Sequence, residues 1–302
     1  YLLFSNGTTL RKLNTDGTTS TSLETGMSDS KKVGLTNYNN YVYFGNGFDV
    51  NKVLRPSDNS VVKWGITAPS VAPTLAQTTA GGLPNGTYIY YYTWYNATDG
   101  VESAPSPTAT ITITGTQKCN LSAVADDAAA PVQPTHKRIY RTTAGGAVFY
   151  RVTSIAQANT VYVDAIADSA LGAACTTELM GIFPPTNILI TYNDRVYLAG
   201  DYSNPAFIYY SDTFYPSRYF AADHYQAFDI GVTAMAKTDN GLLVFERHKT
   251  WLWPSPPFGG APILISPDYG CVNQDAVCYV DKDVVWLSLH GVYAYNGGQP
   301  TM

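Results

Sequence analysis

The sequence predicts an all-β protein, a β-propeller with an Ig-like β-sandwich inserted into it, and three observations predict this. The chain of 302 residues is 45% hydrophobic and 13% aromatic but only 14% charged. Soluble domains average roughly 25% charged residues, so this surface is neutral and polar, rich in Asn, Thr, Ser, Gly and Tyr. Such a mixture disfavours long solvated helices and favours strands joined by turns. The second observation is a repeat: a turn of Asn or Asp, then an apolar run ending in or near an aromatic. The third is a single long interruption of that repeat.

The repeat opens weakly at Tyr1-Leu2-Leu3-Phe4, followed by Asn6-Gly7 and Leu10-Arg11-Lys12-Leu13. Its clear copies are Asn39 to Phe44, Asn193 to Leu198, Asn240 to Phe245 and Asp283 to Leu287. Each is followed by a second run with aromatics: Val61-Val62-Lys63-Trp64, Phe207 to Tyr210, Thr250 to Trp253 and Val292 to Tyr295. Tyr1 to Tyr41 spans 40 residues, Asn193 to Asn240 spans 47, and Asn240 to Asp283 spans 43. Four-stranded propeller blades repeat at roughly 40–50 residues. Turns such as Asn6-Gly7, Asp16-Gly17 and Asn240-Gly241 support hairpins. A sandwich of look-alike hairpins is the competing account, and blade number stays open.

Asn40 to Asn193 is 153 residues, far more than one blade. The excess opens with the linker Ala68 to Pro73. It continues through the aromatic run Gly86 to Tyr95, the strand-like Ala109 to Ile113, Lys137 to Thr142, Phe149 to Val152 and Thr160 to Asp164, and leaves at Pro184-Pro185. Strands at turn-separated intervals over about 100 residues fit a small Ig-like sandwich. The expected organisation is therefore 1–68 as the first part of the propeller, 69–185 as the insertion and 186–302 as the second part. Insertions into a surface loop cost little.

These strings resemble parts of tailed-bacteriophage structural proteins. Gly86-Thr87-Tyr88, Asp99 to Pro107 and Arg138 to Gly146 are similar to fibronectin-III-like modules common in those virions. Asn193 to Gly200, Tyr210-Ser211-Asp212 and Gly291 to Gly297 are similar to propeller strings of tail nozzle or tail tubular proteins. The resemblance implies a structural virion protein in the tail, part of a multi-subunit ring around the DNA exit channel. Its implied partners are further copies of itself, adaptor and fibre proteins, and genomic DNA that passes without specific binding. The chain begins at Tyr1 rather than Met, which suggests a processed or incompletely represented chain.

The remaining chemistry points the same way. Eighteen basic against 23 acidic residues give a net charge of −5, the wrong sign for a protein that grips phosphates. No apolar run is long enough to span a membrane, and no signal peptide or membrane anchor is visible. Cys119, Cys175, Cys271 and Cys278 have no zinc spacing, and a Cys271–Cys278 bridge stays open. His136, His224, His248 and His290 are scattered, Asp223 beside His224 is a weak metal pair, and Asp126-Asp127 sits in an Ala-rich loop. Asp201, Asp212 and Asp229 are candidates for paired carboxylates, yet nothing in the sequence unites them. No catalytic residue, cofactor or metal is expected, and the chain is read as no enzyme. The aromatics offer interaction surfaces instead: Tyr88, Tyr90 and Tyr92 on one strand face, and Trp251, Trp253 and Phe258 in a Pro-rich loop region. Alternative readings are a module that binds host-surface carbohydrate and a propeller glycan hydrolase.

Overall fold

The computed structural model of the chain describes residues 2–28, 31–124 and 134–302. Almost every regular element is a strand, with two short 3₁₀ turns at Asp168–Ala170 and Gln274–Ala276. The chain divides into two compact units, one formed by residues up to Trp64 together with Phe183–Met302, the other by Gly65–Ile182. Expectation from sequence set the corresponding limits at 69 and 185.

The first unit starts with β1 (Leu3–Asn6), β2 (Thr9–Leu13) and β3 (Ser20–Glu24), an antiparallel sheet in that order. A second sheet follows from β4 (Gly34–Tyr38), β5 (Tyr41–Gly45), β6 (Lys52–Arg55) and β7 (Ser60–Lys63). The second unit then contributes β8 (Thr74–Leu83), β9 (Gly86–Asn96), β10 (Val101–Glu102), β11 (Ala109–Ile113), β12 (Gln117–Ser122), β13 (His136–Arg141), β14 (Tyr150–Ala156) and β15 (Tyr162–Asp164). Back in the first unit, β16 (Ile188–Tyr192), β17 (Arg195–Ala199), β18 (Phe207–Tyr210) and β19 (Tyr225–Ala227) form a third sheet. The fourth holds β20 (Val232–Thr238), β21 (Gly241–Glu246), β22 (Thr250–Trp253) and β23 (Ile263–Ser266). The fifth holds β24 (Val277–Val280), β25 (Asp283–Ser288) and β26 (Gly291–Tyr295).

Turn chemistry sets the register. Asn39 and Asn40 (φ 46° and 63°) and Asn193 and Asp194 (φ 43° and 57°) are left-handed, the requirement of two-residue hairpins whose twist matches the strands. They pair Tyr38 with Tyr41 and Tyr192 with Arg195. The Asn/Asp turns read from sequence therefore open β5, β17 and β21, the second strands of their sheets, whereas Asp283 is itself the first residue of β25 and the turn before it holds Asp281 (φ 53°). One partner differs from expectation. Val61 and Val62 lie in β7, a fourth strand, because β6 intervenes and pairs with β5. With Lys52 and Arg55 at its ends, β6 carries only a two-residue apolar signal.

The five sheets pack in series. Leu10 meets Val42, Phe44 and Leu54 between the first and second sheets. Tyr43, Val53 and Trp64 meet Leu189, Val196 and Leu198 between the second and third. Tyr197 and Ile208 meet Leu242, Val244 and Trp253 between the third and fourth, while Leu243 and Phe245 meet Trp286 and Tyr293 between the fourth and fifth. Alternate residues of β17 and β21 thus serve two different cores, which is why every residue of both strands is buried. Each fully buried Leu or Val contributes ~1.5–3 kcal/mol relative to exposure. The approach of the second and third sheets is close enough to need a glycine: a Cβ on Gly34 would lie 2.0 Å from the Asn187 carbonyl oxygen.

First strands lie side by side, β4 against β16 and β16 against β20. Their edges are tied by side chains. Thr191 Oγ1 donates to the Asn37 carbonyl at 2.9 Å. Gln274 accepts from Met235 N–H at 2.8 Å and donates to its carbonyl at 3.0 Å.

In the second unit, β10-β9-β13-β14 form one antiparallel sheet with β11 also on β9, and β15-β12-β8 form another. Their shared core holds Leu83, Tyr88, Tyr90, Tyr92, Ile113, Cys119, Leu121 and Ile139.

Candidate interaction surfaces

The tyrosine row of β9 is interior. Tyr88, Tyr90 and Tyr92 are each 0% exposed, because the three-stranded sheet covers that face of β9 with Cys119 and Leu121. They are therefore removed from the set of surface contacts expected from sequence. Their phenols serve the core. Tyr88 donates to the Pro84 carbonyl at 3.0 Å and Tyr90 to Asp164 Oδ2 at 2.8 Å. Arg141 Nε reaches the same carboxylate oxygen at 2.8 Å, and Nη1 meets Asp168 at 2.6 Å. The Arg141 and Asp164 side chains are wholly buried. Burial, reinforced by the Asp164 charge, pushes the Tyr90 phenol far above its ordinary range. Burial also raises the Cys119 thiol to about 11, so this cysteine is no nucleophile at neutral pH.

The opposite face of β9 is also covered, with Tyr91 2% and Thr93 0% exposed. Tyr91 packs on Phe149 with ring centroids 4.2 Å apart and donates to Glu178 at 3.0 Å. Glu102 collects Thr93, Arg138 and Tyr140 at 2.6–2.7 Å, and Arg138 lies 3.4 Å over the half-buried Tyr95 ring.

The Trp251–Phe258 region splits into three environments. Trp253 is 1% exposed and meets Tyr197 and Tyr210 edge-on at 5.9 and 6.2 Å. It belongs to the core between the third and fourth sheets, which corrects its expected place on a surface. Trp251 is half-buried and donates from Nε1 to Glu246 at 3.1 Å. Phe258 alone of the six remains open, 77% exposed, with Arg195 5.2 Å from its ring. The loop carrying it is tied down by Tyr197 Oη, which donates to the Pro256 carbonyl at 2.9 Å.

The carboxylates singled out from sequence occupy separate places. Asp201 accepts from Tyr209 Oη at 2.7 Å and from Ser203 N–H at 2.9 Å. Asp212 lies 3.9 Å from both Arg195 and Arg218, and Asp229 pairs with Lys249. His224 stacks on Tyr210 at 5.0 Å with Asp223 3.9 Å away. Burial lowers its pKa against the pull of Asp223. His136 Nδ1 is 2.8 Å from Thr135 Oγ1. Among the described residues no group of three His, Cys, Asp or Glu side chains is arranged to hold a metal. All four cysteines are free, and Cys271 directs its thiol to the Asn273 carbonyl at 3.1 Å. Asp126 and Asp127 lie outside the described residues. Among those residues no helix is long and apolar enough to cross a membrane.

Two surfaces went unnoticed in the sequence. On the outer face of the fifth sheet, Val280, Leu287 and Val292 are 54%, 47% and 55% exposed. The signal was present in β25 and β26, where both alternations are apolar, as in the doubly covered β21. The second is an open groove of about 840 Å³ along β4 and the adjoining turn, lined by Leu3, Leu35, Asn37, Tyr41 and Val42 among others.

Comparison with known proteins adds little. No protein-family profile and no curated protein matches this chain. Among solved structures, the computationally designed Ika8 protein aligns over 99% of this chain and 85% of its own, at 13% identity and a TM-score of 0.27. Saccharomyces cerevisiae Sqt1 aligns over 96% and 79%, at 8% identity and a TM-score of 0.27. Similarities this low carry no argument about fold or function.

Proposed function

We propose that this chain is a structural wall component of a tailed-bacteriophage tail, nozzle-like, built from several copies around a channel through which DNA passes. In this reading the five serial sheets are blades of a β-propeller, and Gly65–Ile182 is an inserted Ig-like or fibronectin-III-like sandwich. The phage strings noted in the sequence bring the tail into the reading, and the neutral surface fits it, since each added Lys or Arg would give DNA another phosphate to hold. The observation that carries the assembly is the outer face of the fifth sheet. Every earlier sheet is covered on the corresponding side by its successor, whereas Val280, Leu287 and Val292 stand open. Apolar side chains exposed together on one sheet face support an interface. The Ser, Thr and Asn of the strands would line the wall, with neighbouring copies, adaptor and fibre proteins as partners.

The test is localisation in the particle. Antibody or gold labelling of the chain should mark the virion tail, and absence of label from purified virions would refute the assignment. An assay on host polysaccharides separates this reading, which expects neither binding nor cleavage, from a glycan hydrolase or carbohydrate-binding module.

A further inference from the structure

The outermost strand of the third sheet, β19, has three residues and is entered through one tight turn. In that turn the Asp223 and His224 N–H groups donate to the Phe220 carbonyl at 3.2 and 2.9 Å. Tyr210, the last residue of β18, holds the turn by both of its donors. Its N–H donates to the His224 carbonyl at 3.1 Å and its phenol to the Asp223 carbonyl at 2.8 Å. Tyr210 is itself fixed in the layer between the third and fourth sheets, edge-on to Trp253. Tyr225, next in the chain, starts β19 and pairs with Tyr209. The seating of the turn on Tyr210 therefore sets how firmly β19 lies on β18.

The His224 ring is part of that seating. It stacks on Tyr210 at 5.0 Å, meets Phe220 edge-on at 5.0 Å, and its side chain is 12% exposed. Nε2 faces Asp223 Oδ1 at 3.9 Å, beyond hydrogen-bond reach. Nδ1 is buried and has no hydrogen-bond partner among the described residues. A neutral ring with its proton on Nε2 fits this pocket, because Nδ1 then carries only a lone pair. A protonated ring fits it badly, because Nδ1 becomes an N–H donor with nothing to accept it away from water.

The surrounding charges oppose one another. Asp223 in the turn and Asp212 in the loop after β18 favour the imidazolium, whereas Arg195 of β17 disfavours it. Asp212 also lies 3.9 Å from both Arg195 and Arg218. Burial raises the Tyr210 phenol, so this neighbour stays uncharged. Burial is also the largest influence on His224 and lowers its pKa.

We propose that His224 is an acid-sensitive latch: neutral, it seals the turn onto Tyr210, and protonated, it lifts the turn and loosens β19. A histidine held below its ordinary value contributes stability that is complete above about pH 6.5 and is lost as pH falls from there to the folded value. What loosens is an outer strand whose Tyr225 ring stacks on Phe207 at 4.9 Å. The proposal stands on the third sheet alone and does not depend on the tail assignment.

Hydrogen exchange on the full chain tests it, read as protection factors so that the intrinsic pH dependence of exchange cancels. Between about pH 7.5 and about pH 5 the Tyr210 and His224 amides should lose protection about threefold or more, while those of β21 keep theirs. His224→Phe keeps a ring on Tyr210 that cannot titrate, and its protection should be the same at both pH values. Unchanged protection in the wild type would overturn the proposal. Equal loss in His224→Phe would also overturn it, since a carboxylate would then be responsible. NMR titration of the wild-type His224 ring gives a second reading that needs no variant. A midpoint below about 6.5 that coincides with the loss of protection is expected, and a midpoint at or above that value would overturn the latch.

Discussion

Residues 65–182 build their interior around charge, whereas the five-sheet unit builds its own around aromatic layers. In the former, Arg141, Asp164 and Tyr90 form a buried hydrogen-bonded group within a tyrosine-lined core. In the latter, Trp64, Trp253 and Trp286 each sit between two successive sheets, and Trp64 and Trp286 donate to the carbonyls of Pro216 and Gly270. The difference follows from how many faces a sheet must cover. A two-sheet core is one layer, and a polar group at its rim can be satisfied by nearby loops, as Asp168 and the Ile166 backbone do for Arg141 and Asp164. A series of five sheets has four such layers, and the middle strands carry their charges only at their ends, with Arg195 opening β17 and Glu246 closing β21.

The largest effect expected from this contrast is at Arg141. Arg141→Met strands the Asp164 carboxylate in the core and should cost about 4 kcal/mol. Urea unfolding followed by hydrogen exchange should show the loss within residues 65–182. The double variant Arg141→Met/Asp164→Leu should recover most of it, and failure to recover would mean that the pair does more than neutralise itself. Leu243→Ala, in the layer between the fourth and fifth sheets, should cost about 3 kcal/mol through lost burial and a cavity, with the exchange change confined to the five-sheet unit. Tyr90→Phe keeps the ring but removes a hydrogen bond to a charged group, and about 2 kcal/mol is expected by the same measurement.

Asp201 gives a pH-dependent contrast. Burial alone would raise its pKa, but the hydrogen bonds from Tyr209, Asn204 and Ser203 outweigh it and hold the carboxyl below its usual value. A depressed folded-state pKa contributes stability that is present above the ordinary Asp pKa of about 3.9 and is lost as pH falls through the folded value. Asp201→Asn should therefore flatten the fall in stability of the five-sheet unit below about pH 4, read as thermal midpoint against pH. The smallest effect is at Phe258, where Phe258→Ser should change stability by no more than about 0.5 kcal/mol. A larger change would show that the loop is part of the core rather than its surface.

Much of this contrast was legible in the residues themselves. The Asn and Asp turns before β5 and β17 announce their hairpins because only a few residue types accept two successive left-handed positions. Period-2 spacing of Tyr88, Tyr90 and Tyr92 shows that the three share a face, but it cannot show which face is covered. That depends on β8 and β12, whose Thr, Gln, Lys and Asn residues give no clear strand signal. Trp253 was misplaced for a related reason: β22 precedes a Pro-rich loop that looks exposed, yet the third sheet covers it.

Assembly through the open fifth-sheet face is the central claim, and the mass of the purified protein in solution tests it most directly. Light scattering on the eluting peak should give a defined multiple of the 32.8 kDa chain, and Leu287→Asp on that face should reduce it. A wild-type mass of one chain at the highest soluble concentration would contradict the account.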